Sequence, residues 1–380
     1  MSLRVLLTGG GTGGHVNPAL AIADIIKMNV PDAQIAFVGT EKGIENDLVP
    51  KENYKLYHIQ IQGLKRSVSL SNVKTVYLVM TSPAKAKKII KEYKPDIVIG
   101  TGGYVCWPLL KAASSMGIPT MVHESNALPG AAVRQLQNKV DVILTNFKAT
   151  EELLDTEKKI VNVGNPLRKT YETVDREEAR KKLGIDGSKF MILSFGGSLG
   201  AHRINEAAID VMRKFGAVNE NVVHYHSGGT RGYENAMRLF AGYGLEKNPR
   251  LIVKDYIYDM PLYMAAADLV ICRAGAMTLT EIAMMKKAAV LIPSPNVADN
   301  HQYKNAKVLA DAGAAILLEE KDLNAESITE AVEKLYSERE ERERMSESIS
   351  EFVNAEVGKM IYEEIRALID AKEKIIKRDR

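Results

Sequence analysis

Short uninterrupted runs of Val, Ile and Leu alternate along the chain with longer stretches whose apolar residues recur every three or four positions. Continuous apolar runs of strand length belong to strands covered on both faces, and their alternation with helical patterns marks a parallel sheet. In the first half the pattern predicts strands over Arg4–Thr8, Ala33–Gly39, Asp96–Gly100 and Thr120–His123. A helix is predicted over about Pro18–Met28, whose proline suits a first helical turn. In the second half the predicted strands are Phe190–Phe195, Asp268–Cys272 and Ala289–Pro293, with a helix over about Asn205–Lys214. Each half opens as strand, glycine loop, helix, the loops being Gly9–Gly14 and Gly196–Gly200. Each later repeats a strand, a small-residue loop (Thr101–Tyr104, Arg273–Ala276), a helix, a strand and a polar loop (Glu124–Asn126, Ser294–Asn300). A single sheet has no reason to restart its glycine loop near residue 196. The expectation is therefore an α/β protein of two Rossmann-like domains facing across a cleft.

The boundary is expected near residue 164, giving domains over 1–164 and 165–351. Asn165-Pro166, the charged run Asp175–Lys182, Gly184 and Gly187 mark the join. The strongly charged helical segment at about 352–380 is expected to pack back on the first domain.

Composition narrows the function classes. The 380 residues are 46% hydrophobic and 26% charged, as in an ordinary soluble globular protein. A net charge of +3 is too mild to argue for nucleic acid, and 6% aromatics with a single Trp argue against a base-stacking platform. Two cysteines exclude a disulfide scaffold and a Cys-rich zinc site, so Cys106 and Cys272 read as reduced thiols. No stretch approaches the roughly 18–20 apolar residues that span a bilayer. The start runs straight from a strand into glycines, without the apolar stretch of a secretory leader, so a chain kept in the cytoplasm is expected.

Several residues carry candidate chemistry. Gly9–Gly14 satisfies G-x-G-x-x-G between a strand and a helix, the context in which backbone amides approach a phosphate. A tight turn that only packs is the alternative. A dinucleotide-binding dehydrogenase also places an acid at the end of its second strand, and here Glu41 is an imperfect candidate. His15 closes the loop at the mouth of the sheet. An unperturbed imidazole titrates near 6.5 and suits a general base, although a lone histidine is more often structural. Ser198 offers a hydroxyl beside exposed amides, fitting a diphosphate cradle or a helix cap. Arg168 at the join suits a phosphate or is a solvated linker charge. Glu281 suits ribose hydroxyls or is an ordinary helical carboxylate, and Asn300-His301-Gln302 suits sugar hydroxyls or caps a helix. No HExxH, CxxC, DxD pair or P-loop is present, so metal-assisted chemistry is not indicated.

Taken together, these motifs resemble one family. GGGTGGHVNPALAIA over Gly9–Ala23, Thr101–Tyr104, His123–Asn126, Gly164–Arg168, SFGGSLGAHRIN over Ser194–Asn205, CRAGAMTLTE over Cys272–Glu281 and ADNHQYKNA over Ala298–Ala306 resemble the MurG family. They fall in order and span residues 4 to about 310. The resemblance implies the GT-B fold and transfer of N-acetylglucosamine from UDP-N-acetylglucosamine (UDP-GlcNAc) to the C4 hydroxyl of the muramic acid of lipid I. Lipid II and UDP are the products, the anomeric centre inverts, and no cofactor or metal is needed. It further implies that the C-terminal domain takes the donor: Ser198 and the loop Gly275, Ala276, Met277 and Thr278 at the diphosphate, with Arg168 assisting. The Ile257 backbone would meet uracil, Glu281 the ribose and Gln302 the sugar. The N-terminal domain would take the acceptor, with His15 as catalytic base and Thr12, Gly13, Gly14, Tyr104 and Asn126 around it. The family commonly has Gln where Ser125 stands and an aromatic residue where Asn17 stands.

A lipid-linked acceptor implies a peripheral protein on the cytoplasmic face of the cell membrane. The stretch Lys65–Lys91 fits an anionic membrane surface: Lys65, Arg66, Lys74, Lys85, Lys87, Lys88 and Lys91 occur with no acid, interleaved with Val68, Leu70, Val73 and Val76–Met80. The alternative is a core-facing apolar stripe beside a solvated lysine face. The rival functions are a UDP-sugar epimerase of the same fold, a nicotinamide-dependent dehydrogenase, and a non-enzymatic UDP-sugar-binding protein.

Overall fold

The computed structural model describes residues 2–61 and 70–378. The chain forms two compact units, Met1–Arg168 with Asn354–Arg380, and Lys169–Val353. The chain thus leaves the first unit at Arg168, four residues beyond the position read from the sequence, and returns to it at Asn354.

Unit 1 is a parallel sheet of seven strands: β1 Arg4–Thr8, β2 Gln34–Gly39, β3 Lys55–His58, β4 Ile97–Gly100, β5 Thr120–Glu124, β6 Val142–Thr145 and β7 Lys159–Asn162. Their order is β3-β2-β1-β4-β5-β6-β7, with parallel pairing throughout. β1, β4, β5 and β6 are buried on both faces, as continuous Val/Ile/Leu runs require. One face packs under helix Gly13–Asn29 and the returning helix Val357–Arg378, whose Ile361, Ile365 and Ile369 join the core. Their spacing of four places them on one helical stripe. The other face packs under helices Leu70–Tyr93 and Cys106–Ser115.

Unit 2 repeats the plan with β8 Phe190–Phe195, β9 Val222–Ser227, β10 Leu251–Lys254, β11 Leu269–Cys272, β12 Ala288–Leu291 and β13 Ile316–Leu317. Their order is β10-β9-β8-β11-β12-β13, again parallel. Each unit is a Rossmann-like sheet of the GT-B class. In each, strand order reverses at one place, between β1 and β4 and between β8 and β11, and ligands of open α/β sheets bind at the carboxyl ends of such strands.

Differences from the sequence reading are local. The first helix begins at Gly13, a turn before Pro18, because two glycines and His15 continue directly into it. The helix expected over Asn205–Lys214 is His202–Val211 followed by a π-turn over Met212–Gly216. Among the described residues no helix is long and apolar enough to cross a membrane, and no three of His, Cys, Asp and Glu are grouped to hold a metal ion.

Candidate active site

In unit 1 the loops after β1 and β4 meet at the strand-order reversal. Gly102 has φ +106°, open to glycine, and a Cβ there would lie 2.6 Å from His15 Cδ2, so the imidazole packs directly on this backbone. Thr101 Oγ1 donates to the His15 carbonyl at 2.6 Å. His15 Nδ1 lies 3.2 Å from the Gly10 carbonyl and 3.3 Å from Thr12 Oγ1. A carbonyl only accepts, so Nδ1 carries the proton and Nε2 the lone pair. That tautomer suits a base. Thr12 and Gly14 are exposed on the same loop, and Tyr104 is 61% exposed beside it. Asn126 stands at the end of β5, its backbone and side-chain amides donating to Glu124 Oε1 at 2.9 and 3.1 Å. Glu124 Oε2 accepts from Gly130 N, so this buried carboxylate shapes the whole 124–130 loop. Burial raises its pKa and the amides around it oppose the rise.

Ser125 departs from the family pattern in a specific way. It is buried, with Oγ 3.4 Å from His123 Nδ1, while His123 Nε2 donates to the Gly164 carbonyl at 2.9 Å. Its side chain is therefore turned into the protein beside His123, and it is His123 that ties β5 to the Gly164 turn.

Arg168 pairs with two carboxylates of its own unit. Its guanidinium meets Glu52 at 2.6 Å and Asp24 at 3.5 Å, on helices Glu45–Lys51 (one residue past its end) and Gly13–Asn29. The turn before it is pinned by His123 on Gly164 and by Asn354 Nδ2 on the Val163 carbonyl, which aims Arg168 at these carboxylates. Asp24 lies well down its helix from Gly13, so in unit 1 Arg168 is not beside the glycine loop. Glu41 is exposed and accepts from Gln60.

In unit 2 the loops after β8 and β11 flank the corresponding reversal. The Gly196–Gly200 loop is clamped by the segment after β9, with Thr230 N donating to the Ser198 carbonyl at 3.1 Å and Arg231 N to Leu199 at 3.2 Å. Gly229, at φ +78°, is pressed against Gly200, and no side chain fits there. Under the loop lies a buried polar chain: Ser194 Oγ contacts His224 Nε2 at 2.7 Å and His226 Nδ1 at 2.9 Å, and His226 Nε2 contacts Asn205 Oδ1 at 3.1 Å. Asn205 Nδ2 donates to the Gly228 and Gly232 carbonyls, which fixes its amide orientation. Asn205 Oδ1 must then accept from His226 Nε2, while His226 Nδ1 faces both the Ser194 hydroxyl and, at 3.1 Å, the Ser194 carbonyl. Sequence reading missed this chain, since its members are scattered over two strands and a helix.

Gly275 caps helix Ala276–Met284, putting the first amides of Ala276, Met277 and Thr278 at the same edge. Glu281 on this helix is half-buried and hydrogen-bonded to Tyr171; burial pushes its pKa up to about 7. Tyr256 hydrogen-bonds Ser198, Ile257 is buried, and Tyr258 stacks edge-on against Tyr256 at 4.8 Å. Gln302 Oε1 accepts from Ser294 N at 2.9 Å, tying it to the loop after β12. Ser198, Ile257 and Gly275 thus lie on carboxyl-end loops of one sheet, and Ala276–Thr278, Glu281 and Gln302 lie in the helices that follow such loops. The arrangement presents backbone amides, a carboxylate and neutral amides along one edge, which suits a nucleotide diphosphate-sugar.

Comparison with known proteins agrees with this duplication. Residues 5–145 match the glycosyltransferase family 28 N-terminal domain and residues 191–358 its C-terminal domain. The UDP-N-acetylglucosamine–N-acetylmuramyl-(pentapeptide) pyrophosphoryl-undecaprenol N-acetylglucosamine transferase of Acetivibrio thermocellus is 40% identical over 97% of this chain and 99% of its own length. That of Caldanaerobacter subterraneus subsp. tengcongensis is 41% identical over 96% and 100%. The Acinetobacter baumannii MurG crystal structure superposes with TM-score 0.74 at 29% identity, covering 97% and 100%. A UDP-GlcNAc 2-epimerase from Neisseria meningitidis shares the fold alone, at TM-score 0.65 and 14% identity over 96% and 100%. Two matched domains and full-length relatives at this identity leave one conclusion: the chain belongs to glycosyltransferase family 28, among the MurG-type N-acetylglucosamine transferases.

Proposed function

We propose that this chain is the N-acetylglucosaminyltransferase that converts lipid I and UDP-GlcNAc to lipid II and UDP. The carrying observation is full-length similarity of about 40% to transferases of that name, which favours transfer over the epimerase and dehydrogenase alternatives. The residues support a division of labour. In unit 1, His15 Nε2 removes the proton of the acceptor C4 hydroxyl as the oxygen attacks the anomeric carbon, and Thr12–Gly14, Tyr104 and Asn126 hold the acceptor. In unit 2, the amides of Ser198 and Gly275–Thr278 receive the charge that develops on the departing UDP. Glu281 accepts from the ribose, Ile257 meets the base and Gln302 the sugar. Inversion follows from a single displacement, and we propose that it needs no metal.

We further propose peripheral attachment to the cytoplasmic face of an anionic membrane through helix Leu70–Tyr93. Tyr77 and Met80 are 65% and 77% exposed, and Lys85, Lys87, Lys88 and Lys91 are exposed along the same helix. Leu78 is buried instead, in line with a partly core-facing helix. Lys65, Arg66 and Val68, and the side chains of Leu70, Val73, Lys74 and Val76, lie outside the described residues.

One assay tests both readings. UDP release should require lipid I and persist in chelator. Loss of turnover in EDTA restored by Mg²⁺ would refute the metal-free reaction, and release without acceptor would favour a donor-only enzyme. With lipid I in anionic vesicles, the triple replacement of Lys85, Lys87 and Lys88 by Glu should lose most turnover while retaining it on a short-chain soluble acceptor. Equal rates on vesicles for both proteins would remove this helix from the membrane contact.

The ribose role of Glu281 has its own signature. Glu281→Ala should raise KM for UDP-GlcNAc more than it lowers kcat, because a contact made equally in ground and transition states is uniform binding. In the wild type the same KM should rise as pH falls through about 7, since a protonated carboxyl cannot accept from two hydroxyls with both oxygens. An unmoved donor KM in the variant would leave Glu281 as an ordinary helix residue.

A further inference from the structure

We propose that Glu45, which has no assigned role, is a positioning residue for the acceptor: its carboxylate sets the shape of the first glycine loop and which of its amides meet the acceptor's pyrophosphate. The proposal rests on the functional reading above. Glu45 opens the short helix Glu45–Lys51 after β2 and is fully buried. Its Oε2 accepts from Gly11 N at 2.9 Å, and its Oε1 accepts from Thr40 N at 2.8 Å and Thr40 Oγ1 at 2.7 Å. Among the described residues no Lys, Arg or His is within ion-pair distance of it, so these three donors compensate its burial. A buried charge is tolerated only when its hydrogen bonds are made.

The surrounding backbone is shaped to receive it. A Cβ at Gly10 would fall 2.7 Å from Glu45 Oε1, and one at Gly39 2.6 Å from its Cγ. The carboxylate is therefore built into the loop. In a dinucleotide-binding sheet the acid beyond the second strand faces ribose. Here the acid in that neighbourhood turns inward and takes the Gly11 amide itself. One amide of the loop is already spent on an internal anion. The acceptor's pyrophosphate is thereby directed to the amides that follow, at Thr12–Gly14, next to His15. A second negative group at Gly11 would meet Glu45 directly, which also disfavours a nucleotide in this unit.

The test compares wild type with Glu45→Gln and Thr40→Val in the full-length chain. Glu45→Gln replaces one oxygen with an NH2 that must face Gly11 N–H or the Thr40 donors, so the loop has to move. The expected result is an acceptor KM raised roughly 10–100-fold, the size of one or two hydrogen bonds to a charged group. Donor KM and the affinity for UDP by calorimetry should stay within twofold, because both belong to unit 2. Thr40→Val, which removes one of three bonds, should shift acceptor KM in the same direction by a few-fold. It carries the test alone if the Gln variant does not fold. An unmoved acceptor KM, or donor and acceptor KM rising together, overturns the role of Glu45. Wild type that releases no UDP on lipid I overturns the functional reading instead.

Discussion

Replacing His15 by Ala should lower kcat by roughly 10²–10⁴, the usual contribution of a positioned acid–base group. The ring is over-determined: Nδ1 is held by the Gly10 carbonyl and Thr12, the backbone carbonyl by Thr101, and one face by Gly102. None of this is needed to fill space at a half-exposed loop end. All of it fixes where Nε2 points and which nitrogen holds the proton. UDP affinity by calorimetry should barely change, since the residues proposed to bind it lie in the other unit. His15→Asn separates the roles further. Its amide reproduces the bond to the Gly10 carbonyl yet takes up no proton, so it should be nearly as slow as Ala. Turnover near wild type in both variants would make His15 a packing residue.

The fold should lose stability steeply between pH 6.5 and 4. Burial holds His123 in unit 1 and His226 in unit 2 down to about 4, and it depresses His224 in the same direction, assisted by His226. In the unfolded chain each imidazole takes its proton near 6.5. Between these limits the unfolded state binds more protons, so stability rises with pH in this window and falls on acidification. For His123 and for His226, the step from about 6.5 to about 4 corresponds to about 3 kcal/mol each. The structural cause is burial: a charged His226 would lose its water, and the Ser194 carbonyl beside Nδ1 offsets only part of that cost. Urea unfolding followed at pH 7.5, 6 and 5 reads the effect as a falling midpoint. His226→Gln should flatten the slope whatever it does to stability at pH 7.5. A midpoint constant down to pH 5 would contradict the assignment of these imidazoles as neutral and buried.

The acid loss and the catalytic loss should be separable. Unfolding reports on groups beneath the loops, while kcat at neutral pH reports on the group at their surface. The Ser194–His226–Asn205 chain lies under the unit 2 loop that is proposed to receive diphosphate, so mild acid should weaken donor binding before global unfolding.

Much of this protein was written in local sequence. Strands such as Arg4–Thr8 and Phe190–Phe195 emerged with their boundaries intact, because a buried parallel strand is a short continuous apolar run. The duplicated architecture followed from the repeated order of strand, glycine loop and helix. The positions of Gly9–Gly14, Ser198 and Gly275 were legible because each lies in a loop just beyond a strand, where loops of this fold carry ligands. Tertiary structure alone decided the rest. Glu45, Thr40 and Gly11 are brought together by parallel pairing of β1 and β2, and no spacing in sequence signals a carboxylate that turns inward. Ser194, His224, His226 and Asn205 meet because β8 pairs with β9 in one register, which a two-residue slip would break. Arg168 pairs with Asp24 and Glu52, more than a hundred residues away, partners that its neighbours in sequence do not announce. Local patterns report what a residue's own strand or helix requires. A buried charge or imidazole is defined by the donors and acceptors that packing brings to it, and those come from distant parts of the chain.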